Sequence, residues 1–272
     1  MKKIITTVIA LALCLATLFS FAGCGGGQKY VAKAIEGIVP EEYGFCVGKN
    51  ASNKDAILNA MNEVISEANI DEVVAYYTSV SKDETPTVTL QFANLDDNTG
   101  GTLQVYTCSG FEPYEFVKNN EVVGVDIYLM ELVAEKLNMK INVNDVAFNT
   151  ICGTVAVEDN AIGAAGITIT ADRAETVAFS DAYYNSVQYI ISKEDQAYTS
   201  LEALAGKKIG VQKGTTGYLM VKDAIDNGVL KDTGTTLIDY ATGAVAFTAM
   251  KNGKCDFVVI DELPAKKLVG AN

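Results

Sequence analysis

Apolar positions along the chain fall into three regimes. From Ile4 to Phe21 they form an almost unbroken run behind Lys2 and Lys3. A charged start, an apolar run and a small-residue exit read as a secretory signal over residues 1–23 rather than a membrane span. Between Lys54 and Tyr77 they recur with helical spacing: Ile57, Met61, Ile65 and Ile70 mark one face, with Val73, Val74 and Tyr77 beyond it. From Thr102 onward, short strand-like runs alternate with helical stretches.

In this third region residues 102–109 alternate as a strand does, and Asp126 is placed to cap a helix whose Ile127, Met130, Val133, Ala134 and Leu137 share a face. Residues 140–146 read as a strand, 149–157 as a helix and 164–169 as a short apolar strand. A strand at 208–212 runs into Gly214-Thr215-Thr216-Gly217, with a helix from about Tyr218, and a strand at 257–260 is closed by Asp261. The alternation predicts an α/β architecture with largely parallel sheets. Ligands of such sheets bind beyond the carboxyl ends of the strands. The segment around Arg173, Thr216 and Asp261 all follow strands, so they can face one crevice. Residues 81–100 have mixed polarity, a proline and turn residues, and read as a linker.

Composition narrows the chemistry. The 272 residues carry a formal charge of −13, more negative still without Lys2 and Lys3, which argues against nucleic acid or anionic lipid as a partner. Histidine is absent, which excludes Ser-His-Asp and Cys-His catalysis and disfavours a transition-metal site. Nothing calls for a cofactor. Cys46, Cys108, Cys152 and Cys255 make an even count that can mean disulfides. The apolar run around Cys46 and the position of Cys255 ahead of a strand favour buried free thiols instead.

Arg173 is the one arginine among 21 basic residues. Its forked, permanently charged guanidinium can grip a carboxylate through two parallel hydrogen bonds, which lysine cannot reproduce. Thr168 and Thr170 precede it and can add hydroxyls. The alternative is an ordinary ion pair with Asp172, Glu175 or Asp181. Asp261 can hold an ammonium or simply cap the next helix. Gly214 to Gly217 offers backbone N–H groups at a helix N-terminus, where anions are favoured, but lacks the Gly-Lys-Ser/Thr ending of a phosphate loop. Phe111 and Phe148 are core residues or ligand platforms. A forked cation together with a separate carboxylate matches a free α-amino acid.

Several motifs follow one another in order: FEPYEF at 111–116, VVGVDIYLMELVAEKLNM at 122–139, GITITADRAETVAFSDAYY at 166–184, LEALAGKKIGVQKGTTG at 201–217 and DFVVID at 256–261. On these, residues 102–272 resemble the substrate-binding lipoproteins of polar amino-acid ABC importers, the bacterial extracellular solute-binding proteins of family 3. The resemblance implies a two-lobed type II periplasmic binding protein fold with a hinge, crossed near 40–46 and near 188–193. It implies that Arg173 holds the ligand α-carboxylate with Thr168 and the Thr216 backbone N–H, beside Thr215. Asp261 and the Gly166 carbonyl would hold the α-ammonium, Phe111 and Phe148 would sandwich the ligand, and Gln212 would lie near its side chain. Cys108 stands where several relatives carry an aspartate that reads amide or cationic side chains, which argues against a lysine- or arginine-type ligand.

The order of segments departs from that family. Residues 29–80 look like the family's C-terminal part, so the resemblance implies a circular permutation. Lobe I would comprise 41–80 plus 101–188, lobe II would comprise 29–40 plus 193–272, and 81–100 would bridge the ancestral termini. Phe21-Ala22-Gly23-Cys24 resembles a lipobox, which implies a lipidated Cys24 ahead of a glycine-rich spacer at 24–28; a soluble secreted product is the alternative. The expected protein is a monomeric, extracytoplasmic, membrane-anchored partner of an ABC permease. The competing readings are a dehydratase-like enzyme on the same scaffold, with Glu112 and Glu262 as acid–base candidates, and a sensory lipoprotein.

Overall fold

The computed structural model describes residues 28–270; the signal segment and Cys24 expected from sequence lie outside them. The chain runs through β1 (Tyr30–Ala34), β2 (Glu41–Tyr43) and β3 (Cys46–Gly48) into α1 (Lys54–Glu67) and α2 (Ile70–Ser81). After residues 82–101 come β4 (Thr102–Thr107), the hairpin β5 (Phe116–Lys118) and β6 (Glu121–Val123), α3 (Val125–Lys136) and β7 (Lys140–Asp145). Then follow α4 (Ile151–Val155), β8 (Ala161–Gly163), α5 (Ala171–Thr176), β9 (Val177–Phe179) and β10 (Tyr184–Ser186). The remainder is β11 (Gln188–Lys193), β12 (Lys208–Gln212), α6 (Thr216–Asp226), β13 (Thr236–Tyr240), α7 (Gly243–Lys251), β14 (Phe257–Asp261) and α8 (Glu262–Val269).

Two five-stranded sheets organise these elements. One has the order β7-β4-β8-β3-β9, the other β1-β11-β14-β12-β13. In the first, β4 pairs parallel with β7 and β8, while β3 is wedged antiparallel between β8 and β9. In the second, β12 pairs parallel with β13 and β14, and β11 lies antiparallel between β14 and β1. Every residue of β14 is buried, and β12 is buried after its first residue, as expected of inner strands covered on both faces. The chain passes between the sheets twice, and the passages β2 and β10 pair antiparallel with each other. The second passage therefore lies at 184–186. Residues 188–193, expected to form the crossing, are a full strand of the second sheet, because all six continue its ladders with β1 and β14.

Two local expectations are corrected. Asp126 does not cap α3, whose N-cap is Gly124. Its carboxylate is fully buried and accepts from the Gly166 N–H at 2.8 Å and the Tyr183 hydroxyl at 2.7 Å. Residues 164–169 are not a strand. Asp126 takes the Gly166 N–H and Gly166 is left-handed at φ 53°, so the ladder ends at Gly163, leaving one isolated bridge from Thr168 to Tyr43. The linker read over 81–100 begins on Ser81, the last residue of α2; residues 82–100 contain no helix or strand and are tied to the first lobe, where Tyr128 donates its hydroxyl to Gln91 O, Asn98 Nδ2 donates to Met139 O, and Leu90 is buried. The four cysteines among the described residues are free, and Cys46, Cys108 and Cys255 are buried.

Gly124 joins the hairpin to α3 with φ 144°, and a Cβ there would lie 2.1 Å from Tyr114 O. Gly124→Ala must strain the backbone and push a carbonyl aside, so it costs at least ~2 kcal/mol. Thermal melts should show the midpoint falling by several degrees; an unchanged midpoint would remove the constraint.

Candidate functional site

Arg173 is presented by the short helix α5. Thr170 caps that helix, its Oγ1 accepting the Arg173 backbone N–H at 3.2 Å. The guanidinium donates from Nη1 to Thr168 O at 2.7 Å and from Nη2 to Gly214 O at 3.2 Å. Thr168 belongs to the first lobe, and Gly214 follows β12 of the second, so one side chain spans both. Its carbon sits 5.3 Å from the centre of the Phe148 ring, a cation–π contact. Among the described residues no ion pair joins it to Asp172, Glu175 or Asp181. Two of five N–H donors thus meet neutral carbonyls, and the charge is left without a carboxylate. Burial pushes the guanidinium pKa downward, opposed by Cys152, Glu41, Cys46 and Asp261.

Asp261 ends β14 at the N-cap position of α8 but makes no capping bond from its side chain. The carboxylate turns inward and accepts the Tyr43 hydroxyl at 2.5 Å. It is 5 % exposed, and its pKa rises to about 7, first through burial and then through Glu41 nearby; hydrogen bonds from Tyr43 and Gln188 oppose the rise. A buried carboxylate raised by desolvation is prepared for a cation that restores the missing charge.

Arg173 and Asp261 line one narrow cavity of about 10 Å³ with Phe111, Phe148, Gly166, Thr168, Gln212, Thr215 and Thr216, joined by Glu115 and Ala165. Of the expected ligand-binding residues Cys108 alone is not on this wall, and the acid–base candidates Glu112 and Glu262 are not on it either. Cys108 sits behind Gln212, whose Nε2 donates to its Sγ at 3.7 Å. Gly166 has no alternative here, since a Cβ would fall 2.6 Å from the Phe111 ring. Thr215 caps α6 by accepting the Tyr218 N–H, and Thr216 opens the helix, so the free N–H groups of its first turn face the cavity region.

Two acidic residues of the site were not singled out by pattern. Glu115, within FEPYEF, is 1 % exposed, and its Oε2 has no hydrogen-bond partner among the described residues. Burial, then Asp126 and Cys108, drives its pKa well above the carboxylate range. A carboxylate between Tyr114 and Phe116 was the available signal. Glu41 begins β2, and its Oε2 accepts both the Thr168 hydroxyl at 2.7 Å and the Thr216 hydroxyl at 2.6 Å. Nothing in the pair Glu41-Glu42 distinguishes that residue from its exposed neighbour. A roomier groove of about 410 Å³ lies on the first lobe, lined by α1, α2, α3 and residues 89–91. It gathers carboxylates and one lysine without convergent chemistry. No group of three potential metal ligands occurs among the described residues, and no helix there is long and apolar enough to cross a membrane.

The profile of the bacterial extracellular solute-binding proteins, family 3, matches residues 103–244. The chain is 34 % identical over 109 residues to the arginine-binding extracellular protein ArtP of Bacillus subtilis, covering 40 % of this chain and 43 % of that protein. It is 27 % identical over 169 residues to the putative ABC transporter arginine-binding protein 2 of Escherichia coli, covering 62 % and 66 %. The chain thus spans about half to two thirds of the length of these relatives. Among solved structures, an ancestral arginine-binding protein bound to arginine is similar at 36 % identity and a TM-score of 0.56, over 64 % of this chain and 75 % of that one. Two α/β lobes joined by two crossings, with the cavity between them, are the type II periplasmic binding protein fold. By the matched profile and the motifs that build the cavity, the chain belongs to the bacterial extracellular solute-binding proteins, family 3.

Proposed function

We propose that the protein is the extracytoplasmic receptor of an amino-acid ABC importer and that it binds a free α-amino acid with a cationic side chain between its lobes. The observation that carries this reading is the pairing, in one cavity, of a guanidinium without a carboxylate partner and a buried carboxylate at the opposite lobe. Arg173 takes the α-carboxylate and Asp261 the α-ammonium, while Phe111 and Phe148 flank the aliphatic part and Gln212 lies near the side chain. Each end of the zwitterion reports on a different lobe, so closure is favoured by contacts that only the closed form provides.

The cationic side chain is the point where this reading departs from the expectation drawn from Cys108. Glu115, buried on the same wall as Phe111 with an unpartnered oxygen, supplies the carboxyl that Cys108 lacks. Burial disfavours the charged form of Glu115 while no cation faces it, and a ligand side-chain cation would restore that charge and gain an acceptor. Relatives named as arginine-binding proteins support the same class. The chain order is read as a circular permutation: β1 and β3, which precede the matched region, are inner or edge strands of the same two sheets. Anchoring through Cys24 and delivery to a permease complete the proposal.

Calorimetry with L-arginine tests the assignment. Arg173→Ala leaves the ligand carboxylate without its fork and should weaken binding by about 3–5 kcal/mol; wild-type affinity in that variant would sink the role of Arg173. Glu115→Gln should reduce the preference for L-arginine over its neutral isostere L-citrulline from at least ~100-fold to below ~10-fold, while citrulline affinity stays within about threefold.

A further test is pH. Below about 7 Asp261 carries a proton and meets an ammonium as a neutral acid; above it the carboxylate is free. Affinity should therefore rise by up to about tenfold per unit as pH increases toward 7, then level off. The charged and titratable neighbours of Asp261 are Glu41, Tyr43, Tyr114 and Arg173. Stability without ligand runs the opposite way. The folded values of Asp261 and Asp126, both about 7, lie above the ordinary carboxylate value, so their contribution is complete at low pH and is lost as pH rises through 7. Melts and titrations from pH 5 to 8.5 that moved together would contradict this.

A further inference from the structure

Glu41 stands at the first position of β2, in register with Ser186 of β10, where the chain passes between the lobes. It is absent from the cavity wall, yet it touches two residues that form that wall. One oxygen, Oε2, accepts the hydroxyls of Thr168 from the first lobe and Thr216 from the second. The other, Oε1, lies 3.4 Å from Gln188 Nε2, which sits equally far from Thr216 Oγ1. A carboxylate only accepts, so in both contacts the threonine supplies the proton.

That commitment has a chemical consequence. A hydroxyl has one proton and two lone pairs. With both protons directed to Glu41, Thr168 keeps its lone pairs for the cavity, and Thr216 keeps one, the other accepting from Gln188 Nε2 at 3.4 Å. They meet a ligand there as acceptors, beside the Asp261 carboxylate. The expectation that the Thr168 hydroxyl donates to the ligand α-carboxylate is therefore reversed. The donors left for that group are the Arg173 guanidinium and the backbone N–H groups of α6. Three acceptors, Asp261 and the two threonine oxygens, match the three N–H donors of a primary ammonium.

We infer that Glu41 is a positioning residue that fixes the polarity of the ammonium end of the cleft, making the site selective for a ligand with a primary α-ammonium over the same carboxylic acid without one. The inference rests on the proposed binding of an α-amino acid. It adds a residue that never touches the ligand. Because Oε2 holds one hydroxyl from each lobe, the arrangement is complete only when the lobes are together. Ammonium recognition and closure are thereby coupled through one atom.

The test compares L-arginine with 5-guanidinopentanoic acid, its analogue lacking the α-amino group, by calorimetry on the full chain. Wild type should prefer arginine by at least ~100-fold. In Glu41→Gln the amide can donate to one threonine and turn that hydroxyl proton toward the cavity. Arginine should then weaken by at least ~30-fold, while the des-amino analogue stays within about threefold. Thr216→Val, which leaves the crossing intact, should cause the same selective loss and decides the matter if Glu41→Gln folds poorly. Equal weakening of both probes, or no weakening of arginine in either variant, overturns the inference. A wild-type chain that binds neither probe removes the amino-acid reading itself, and the inference with it.

Discussion

The buried carboxylate of Asp126 is the constraint on which the cavity depends. It has no exposed surface and two hydrogen-bond donors, the Gly166 N–H and the Tyr183 hydroxyl. A buried carboxyl without partners is costly, so these contacts hold three distant segments together: the start of α3, the turn after β8 and the approach to β10. The Gly166 turn then places Thr168 and α5 at the cleft, and Tyr183 stacks on Phe45 at 4.4 Å between ring centres. The position of Arg173 is thus set from below, by a residue that does not face the cavity.

Charge is distributed unevenly around what this framework supports. Arg173 bonds two neutral carbonyls, one per lobe, whereas Asp261 and Glu115 are buried with their carboxyl pKa values raised by desolvation. Each group is held short of full compensation. A preorganised site of this kind draws its affinity from supplying a ligand with partners already in place, since little ordering remains to be done on binding. The Tyr43 hydroxyl on Asp261 illustrates the arrangement: it supports the carboxylate from the crossing strand.

The segment at 82–100 shows how an apparently loose stretch gains structure. It lacks regular elements, yet Leu90 is buried and Phe92 packs edge-on against Tyr76 and Tyr128. Its backbone and side chains bond to α3 and to the start of β7 through Tyr128, Glu135, Asn138 and Met139. It therefore follows the outer face of the first lobe, tying α2 to β4 with its polar groups satisfied by neighbours rather than by a ladder.

The sequence by itself determined the alternation of strands and helices, the isolation of Arg173 as the one guanidinium, the strand ending in Asp261 and the threonine-rich helix start at Thr215 and Thr216. These are local properties: periodicity, capping and charge are written in neighbouring residues. What it misjudged depended on contacts between residues far apart in the chain. Asp126 looked like a cap until Gly166 and Tyr183, 40 and 57 positions away, claimed its oxygens. Residues 164–169 looked like a strand until that contact and a left-handed glycine ended the ladder. Glu115 and Glu41 were not singled out by pattern; tertiary packing buried one and set the other between two hydroxyls that are 48 residues apart in sequence. Desolvation and hydrogen-bond partnership belong to the folded neighbourhood, so the side chains they define become visible only once the lobes are assembled.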